Sequence, residues 1–80
     1  MEHSRVTSDV CEAIVVVLRK TSPVPKDFSR AGNPEWDSLK HVEIMFALEE
    51  RFNVQFDETD LEKLNSVEMI SARLHQLHGA

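Results

Sequence analysis

Asp37, Ser38 and His41 are the residues of this 80-residue sequence whose types and spacing come nearest to catalytic chemistry. A serine and a histidine three positions apart share one face of a helix, and the neighbouring aspartate completes the residue types of a nucleophilic triad. A hydrolase would also need an oxyanion hole, a strained nucleophile turn and a substrate cleft. The sequence has no Gly-x-Ser-x-Gly motif and few residues from which to build such a cleft. We therefore predict that the chain is not an enzyme.

Ser38 nevertheless lies where a hydroxyl is accessible and close to positive charge. We expect Asp37 to cap the second helix, with Ser38 at its first position. A helix N-terminus presents unpaired backbone N–H groups and a partial positive charge, so it would stabilise a phosphodiester attached there. By itself, the Asp-Ser pair is equally typical of an ordinary helix start, in which a cap is followed by a small polar residue.

Three other groups of residues have weaker claims to chemistry. His75 and His78 could share a metal, but cations that favour a helix C-terminus explain them better. The acidic run that begins at Asp57 lacks the glycine of a calcium-binding loop. Cys11, the single cysteine, is expected to be a small buried hydrophobe. We therefore predict no metal site belonging to the chain itself.

Composition and charge exclude several classes of function. The chain has 14 acidic and 9 basic residues, for a net charge of -5, so it lacks the cation excess that binds nucleic acid. Residues 41–80 contain 8 acids and 3 bases, while residues 1–40 contain 6 of each, so the second half carries the whole net charge. No apolar run is long enough to span a membrane, the first residues lack the long apolar run of a signal peptide, and a single cysteine cannot form an internal disulfide, so we expect no secretion. We expect one cytoplasmic domain over residues 1–80.

Apolar periodicity predicts an all-α fold, a small bundle of three longer helices and one short helix. The first helix should begin within residues 4–9 and end near Lys20, with cations in its last turn where they suit the helix dipole. A long loop over residues 21–36 follows. We interpret it as a simple connection with two apolar anchors, Val24 and Phe28.

Capping signals predict the limits of the remaining helices. The second helix should begin after Asp37 and end at residue 51 or 52. Thr59 and Glu62 have the spacing of a capping box, which predicts a short helix that closes near Leu64. Ser66 can cap the last helix. Its expected buried stripe, which Gly79 follows, consists of Val67, Ile70, Leu74 and Leu77.

The second helix has an unusual outer face. Its inner face carries the expected core stripe, made of His41, Ile44, Met45, Leu48 and Phe52. On the opposite face, Leu39, Phe46 and, at the margin, Val42 stand among the carboxylates of Glu43 and Glu50. An apolar patch with a charged rim is typical of a surface that docks a partner. The alternative is that the loop over residues 21–36 covers this face.

The span from Trp36 to about Leu77 resembles the acyl carrier proteins, a family of phosphopantetheine-attachment domains. The motifs that carry the resemblance are Asp37-Ser38-Leu39, Val42-Glu43-Ile44, Ala47-Leu48-Glu49-Glu50 and Phe52, then the acidic short helix and Ser66-Val67. The order of helix, long loop, helix, short helix and helix agrees with that family over the rest of the chain.

The resemblance implies that Ser38 is the attachment point for 4'-phosphopantetheine. A phosphopantetheinyl transferase would supply this group from coenzyme A, with magnesium in that complex, and Asp37 is the candidate residue near that magnesium. The prosthetic thiol would hold an acyl or aminoacyl group as a thioester for ligase, synthase or transferase enzymes with basic docking patches. The partner-binding positions implied by the resemblance are Asp37, Leu39, Val42, Glu43, Phe46, Ala47, Glu49 and Glu50.

The chain departs from the family pattern on both sides of the serine. Glu35 stands where many of these carriers have glycine, and Lys40 stands where an acidic residue is common. We therefore interpret the chain as a specialised free-standing carrier, which we expect to be a monomer. Fatty acyl, polyketide, other specialised acyl and amino acid cargoes all fit the pattern. The alternative is an unmodified helical domain that binds a protein partner through the outer face of the second helix.

Overall fold

The computed structural model of the chain describes residues 3–77, with side chains from residue 5 onward, and it is all-helical. Its helices are α1 (His3–Leu18), α2 (Ser38–Phe52), α3 (Glu58–Lys63) and α4 (Val67–Leu77). Over the described residues, the β structure is limited to one isolated bridge between Ser29 and Ser66. The predicted fold class, a bundle of three longer helices and one short one, is confirmed. None of the described helices is long and apolar enough to cross a membrane.

The core is built where α1 packs against α4 and α2. Val6, Val10 and Ile14 follow one another at intervals of four along α1, and all three side chains are fully buried. The predicted stripes of α2 and α4 meet them, with Leu48 and Leu74 also fully buried. Burial of this continuous apolar surface is the main favourable contribution to folding.

The first helix ends two residues earlier than predicted. Arg19 adopts a left-handed conformation with φ of 56°, which stops α1 at Leu18. The Arg19 N–H donates to Val16 O and the Lys20 N–H to Val15 O, at 3.2 and 3.0 Å, the pattern of a Schellman motif. That motif usually uses glycine, so the sequence carries no stop signal here. Arg19 and Lys20 therefore lie beyond the helix and not in its last turn.

The long loop is more than a connection, so that interpretation was wrong. Val24 and Phe28 are buried as predicted. In addition, the loop pairs with the link between α3 and α4. The Val67 N–H donates to Phe28 O at 2.9 Å, and the Arg30 N–H donates to Asn65 O at 2.8 Å. The loop is thereby held against the last two helices just before it enters α2.

The limits of α2 are as predicted. Asp37 has an extended backbone, and its Oδ1 accepts a hydrogen bond from the Lys40 N–H at 2.9 Å. The helix ends at Phe52, because Asn53 is left-handed with φ of 55° and the chain turns back toward Glu49 O. Both ends of α2 are thus closed by local hydrogen bonds.

The cap of the short helix was placed two residues too late. Asp57 caps α3, and the capping box joins Asp57 to Asp60 instead of Thr59 to Glu62. Asp60 Oδ2 accepts from the Asp57 N–H at 3.1 Å, while its Oδ1 accepts from Arg73 Nε at 3.0 Å. The contact with Arg73 on α4 favours the earlier cap, and it could not be read from local spacing.

The start of α4 is as predicted. Ser66 Oγ accepts from the Met69 N–H at 3.2 Å. Val67, Ile70 and Leu74 are fully buried, and Leu77 is half-buried at the end of the described chain. Gly79 lies outside the described residues.

Replacing the two candidate caps of α3 tests the corrected boundary. Asp57→Ala should lower the free energy of unfolding by about 1 kcal/mol, because the side-chain acceptor for the Asp60 N–H is lost. Thr59→Ala, at an exposed position inside the helix, should change it by less than about 0.5 kcal/mol. Urea denaturation measures both. A larger loss for Thr59→Ala than for Asp57→Ala would contradict the assignment.

Candidate functional site

Ser38 is the first residue of α2, and its side chain is exposed to solvent. Asp37 fixes the start of the helix, so the hydroxyl is presented at a defined end of a rigid element. Ser38 Oγ accepts a hydrogen bond from Arg30 Nη2 at 3.1 Å. The predicted serine therefore has an arginine beside it that sequence reasoning did not identify.

Arg30 is held in place by hydrogen bonds on several sides. Its Nε donates to Trp36 O at 3.1 Å, and its Nη1 donates to Asn65 Oδ1 at 3.3 Å. Arg30 is separated from Ser38 by 8 positions and from Asn65 by 35, so only the folded loop brings the three together. No spacing pattern in the sequence indicates this contact.

Trp36 and His41 form a buried pair behind the serine. The Trp36 side chain is 1% exposed and stacks on Phe28, with ring centroids 5.9 Å apart. Its Nε1 donates to His41 Nδ1 at 3.0 Å, and His41 Nε2 lies 2.8 Å from Leu61 O. Because an indole N–H can only donate, His41 Nδ1 must accept and Nε2 must carry the proton that bonds to Leu61 O. The pair therefore ties the start of α2 to α3.

The same hydrogen bonds remove His41 from any role as a base for Ser38. Both of its ring nitrogens are used by other partners, so the imidazole has no nitrogen left to accept a proton from the hydroxyl. Burial lowers the pKa of His41, the bond to Leu61 O opposes that shift, and the charge of Arg30 adds to the lowering. A neutral His41 is what the hydrogen bond from Trp36 requires. The side-chain hydrogen bonds of Asp37, Ser38 and His41 go to other residues, so the three do not form a catalytic triad.

Glu35 and Lys20 connect the segment before α2 to the end of α1. Lys20 Nζ lies 2.7 Å from Glu35 Oε2 and 5.4 Å from the centre of the Phe28 ring. The hydrogen bond from Lys20 lowers the pKa of Glu35. Glu35, one of the departures from the family pattern, thus forms an ion pair with Lys20, which lies just after α1.

The outer face of α2 is exposed, as predicted. The exposed fractions are 68% for Leu39, 61% for Phe46 and 39% for Val42, so the loop does not cover these side chains. Ala47, at the edge of this surface, is half-buried. We call Leu39, Val42 and Phe46 the apolar face of α2.

The carboxylates near this face differ in what they contact. Glu43 and Glu50 are exposed, and Glu43 Oε1 lies 3.6 Å from Lys40 Nζ. Glu49 is half-buried, and its Oε2 accepts from the Phe56 N–H at 2.7 Å. Glu49 therefore holds the loop after α2, and its carboxylate is less available to a partner than those of Glu43 and Glu50.

The other candidate groups contribute little to a site. Asp57 and Asp60 serve as the cap of α3. Among the residues that the structure describes, no cluster of three or more metal-ligating side chains occurs, and His78 lies outside them. Cys11 is half-buried in a groove between α1 and the long loop, where burial raises the pKa of its thiol. A raised pKa leaves the thiol mostly protonated and unreactive.

The helical bundle thus presents an exposed serine at the start of its second helix, next to an exposed apolar face, which is an arrangement that a carrier domain needs. A family model described as a phosphopantetheine attachment site matches residues 9–74. The chain belongs to this family, whose members carry covalently attached 4'-phosphopantetheine and are generally non-catalytic carriers. They interact with phosphopantetheinyl transferases and biosynthetic enzymes. No curated protein matches the chain.

The buried histidine predicts a dependence of stability on pH. The pKa of His41 is lowered in the folded protein from 6.5, so the unfolded chain binds more protons as the pH falls. The contribution of His41 to stability should be complete above about pH 6.5 and should decrease as the pH falls through that value toward the folded pKa. Urea denaturation between about pH 7.5 and pH 5.5 measures this loss.

His41→Gln is the matched control, because glutamine can accept from Trp36 and donate to Leu61 O but does not titrate. The variant should retain the pH dependence that comes from the other groups of the chain and lack the part that comes from His41. Equal slopes of unfolding free energy against pH in the two proteins would contradict the assignment.

Proposed function

We propose that Ser38 is the attachment residue for 4'-phosphopantetheine and that the chain carries an acyl or aminoacyl intermediate between enzymes. The observation that carries this proposal is the exposed hydroxyl of Ser38 at the first position of α2, within the span that the family model matches. The proposal extends to a single carrier domain over residues 1–80, a monomer in the cytoplasm that serves fatty acid or secondary metabolite biosynthesis.

Other serines in the matched span are less suited to modification. Ser71 is fully buried, and Ser66 Oγ accepts a hydrogen bond that caps α4. Ser29 Oγ donates to Ala31 O at 3.3 Å within the loop. Ser22 is exposed but lies in the loop and not at a helix start. Ser38 alone among these five combines exposure with a rigid helical position and a cationic neighbour.

The residues around Ser38 fit a phosphodiester. The guanidinium of Arg30 donates to Ser38 Oγ, and the first turn of α2 offers backbone N–H groups near the same atom. When bound, the prosthetic group would supply a thiol that holds the cargo as a thioester. The chain itself would contribute the hydroxyl, its orientation and the surface that partner enzymes recognise.

Loading would need a phosphopantetheinyl transferase, coenzyme A and magnesium. Ser38 Oγ would form a bond to the phosphorus that bears the pantetheine arm, the pyrophosphate bond of coenzyme A would break, and adenosine 3',5'-bisphosphate would leave. The hydroxyl proton would pass to a base of the transferase. Both ring nitrogens of His41 are hydrogen-bonded to Trp36 and Leu61, so His41 would not be the base that accepts this proton.

The surface proposed for partner enzymes combines the apolar face of α2 with the carboxylates of Glu43 and Glu50. Apolar contacts there would contribute affinity, and the carboxylates would attract basic patches and orient them. Asp37 and Leu39 flank the serine, where the transferase must approach, and Asp37 would then lie near its magnesium. Ala47 and Glu49 border this surface. The ligase, synthase or transferase enzymes that use it would supply the chemistry.

An unmodified domain that binds a protein partner is the second candidate. The exposed fractions of Leu39 and Phe46, 68% and 61%, would suit such a partner without any modification of the serine. The two candidates differ in whether Ser38 changes covalently.

Mass measurement after loading separates the two candidates. Incubation with a broad-specificity transferase, coenzyme A and magnesium should add one phosphopantetheinyl unit to the wild-type chain and none to Ser38→Ala. Ser22→Ala, at another exposed serine, should gain the unit as the wild type does. An unmodified wild type would favour the unmodified interaction domain, and a gain by Ser38→Ala would show that another residue is modified.

Charge reversal tests the docking surface. Glu43→Lys combined with Glu50→Lys should slow loading by the transferase at low salt about tenfold or more, because basic patches would then be repelled. The control is Asp27→Lys combined with Glu62→Lys, which changes net charge equally at exposed positions outside α2. Initial rates at low and high salt measure the effect. Equal rates for both double variants would contradict a role for these two carboxylates.

A further inference from the structure

Arg30 carries a positive charge that has no carboxylate partner among the described residues. Its side chain donates hydrogen bonds to three neutral oxygens, namely the Trp36 carbonyl, the Asn65 side-chain amide and the Ser38 hydroxyl. Lys40 and Lys20 differ in this respect. Lys40 lies near Glu43, and Lys20 is paired with Glu35. A half-buried guanidinium without a counter-ion is therefore aimed at the hydroxyl that we propose is modified.

We propose that Arg30 is the residue that binds the phosphodiester formed at Ser38 and so fixes the near end of the prosthetic arm. This inference rests on the proposed attachment of 4'-phosphopantetheine to Ser38. Arg30 is a positioning residue in this role and takes no part in bond making.

The distance supports direct contact. Arg30 Nη2 lies 3.1 Å from Ser38 Oγ. The two non-bridging oxygens of a phosphodiester are bonded to the same phosphorus as Oγ. They are therefore direct neighbours of Oγ in the phosphate tetrahedron and lie close to the same guanidinium. Esterification also makes Oγ a poorer acceptor, while the non-bridging oxygens share a full negative charge. The guanidinium can therefore transfer its hydrogen bond to a stronger acceptor with a small rotation.

The Arg30 side chain is preorganised for this contact with the phosphate before the modification occurs. The bonds from Arg30 to Trp36 O and to Asn65 Oδ1 already restrict the side chain, so little rotamer freedom is left to lose when an anion arrives. A planar guanidinium can keep those two bonds and still offer Nη2 to the phosphate. Lysine has one nitrogen and could not make all three contacts with the same geometry.

Binding of the phosphodiester would link the prosthetic arm to the rest of the bundle. Arg30 is bonded to Asn65 between α3 and α4 and to Trp36 before α2. Modification would then compensate the charge of Arg30, which lacks a carboxylate partner among the described residues. We expect the modified protein to be more stable, and we expect most of that gain to depend on Arg30.

A thermodynamic cycle measures this dependence apart from any structural role of Arg30. The unfolding constants of unmodified and modified protein are determined by urea denaturation for the wild type and for Arg30→Gln. Modification should lower the unfolding constant of the wild type about tenfold more than that of Arg30→Gln, as for a charge-assisted hydrogen bond. This difference between the wild type and Arg30→Gln should decrease at high salt, where the ion pair is screened.

Arg51→Gln is the matched control. Arg51 also donates to two side chains, Asp9 and Glu12, but it lies near the other end of α2. Arg51 is thirteen positions along α2 from Ser38, a distance of about 20 Å. Arg51→Gln should lower the stability of the unmodified and the modified protein equally. Modification should therefore stabilise Arg51→Gln as much as it stabilises the wild type. Arg30→Lys keeps the positive charge but lacks the planar guanidinium with its several N–H donors. Modification should therefore stabilise this variant more than Arg30→Gln and less than the wild type.

A direct measurement keeps the inference testable if Arg30→Gln does not fold. In the modified wild type labelled with nitrogen-15, the guanidinium N–H signals of Arg30 should show a scalar coupling to phosphorus across the hydrogen bond. Equal stabilisation of wild type and Arg30→Gln, or no such coupling at a temperature where these N–H signals are resolved, would overturn the role of Arg30. A wild type that gains no phosphopantetheinyl unit would overturn both this inference and the proposed function.

Discussion

The buried indole of Trp36 is the interaction on which the position of the candidate serine depends. The indole ring packs on Phe28 from the loop, and its N–H donates a hydrogen bond to His41 on α2. The backbone carbonyl oxygen of Trp36 accepts a hydrogen bond from Arg30. Because Ser38 follows two residues later, the hydroxyl is presented by a segment that is held on three sides. Apolar burial supplies the stability of this arrangement, and the hydrogen bonds determine its geometry.

Most of the fold could be predicted from the sequence, because local rules and tertiary packing agree along most of the chain. The limits of α2 followed from Asp37 and from the apolar period. Two boundaries were missed by two residues, each for a different reason. At the end of α1, Arg19 takes the left-handed conformation that glycine normally adopts. At the start of α3, two acceptable caps compete, and the contact between Asp60 and Arg73 favours the earlier one.

The candidate site was predictable in part for the same reason. The position of Ser38 and the exposure of the apolar face of α2 both follow from helical geometry and one cap. The role of Glu49 could not be predicted, because spacing shows that it borders the outer face but not that its carboxylate binds the Phe56 N–H. Arg30 was missed entirely, since a loop with three prolines and one glycine has no period from which contacts can be deduced.

The pairing of the long loop with the link between α3 and α4 determines which part of this protein could be moved into another bundle. A chimera that received α2 alone would gain the serine and the apolar face. It would lack Arg30, whose place depends on Asn65, and Trp36, whose place depends on Phe28 and on His41. The smallest transferable unit therefore extends from Phe28 to Val67, the two residues joined by a backbone hydrogen bond that closes this part of the chain.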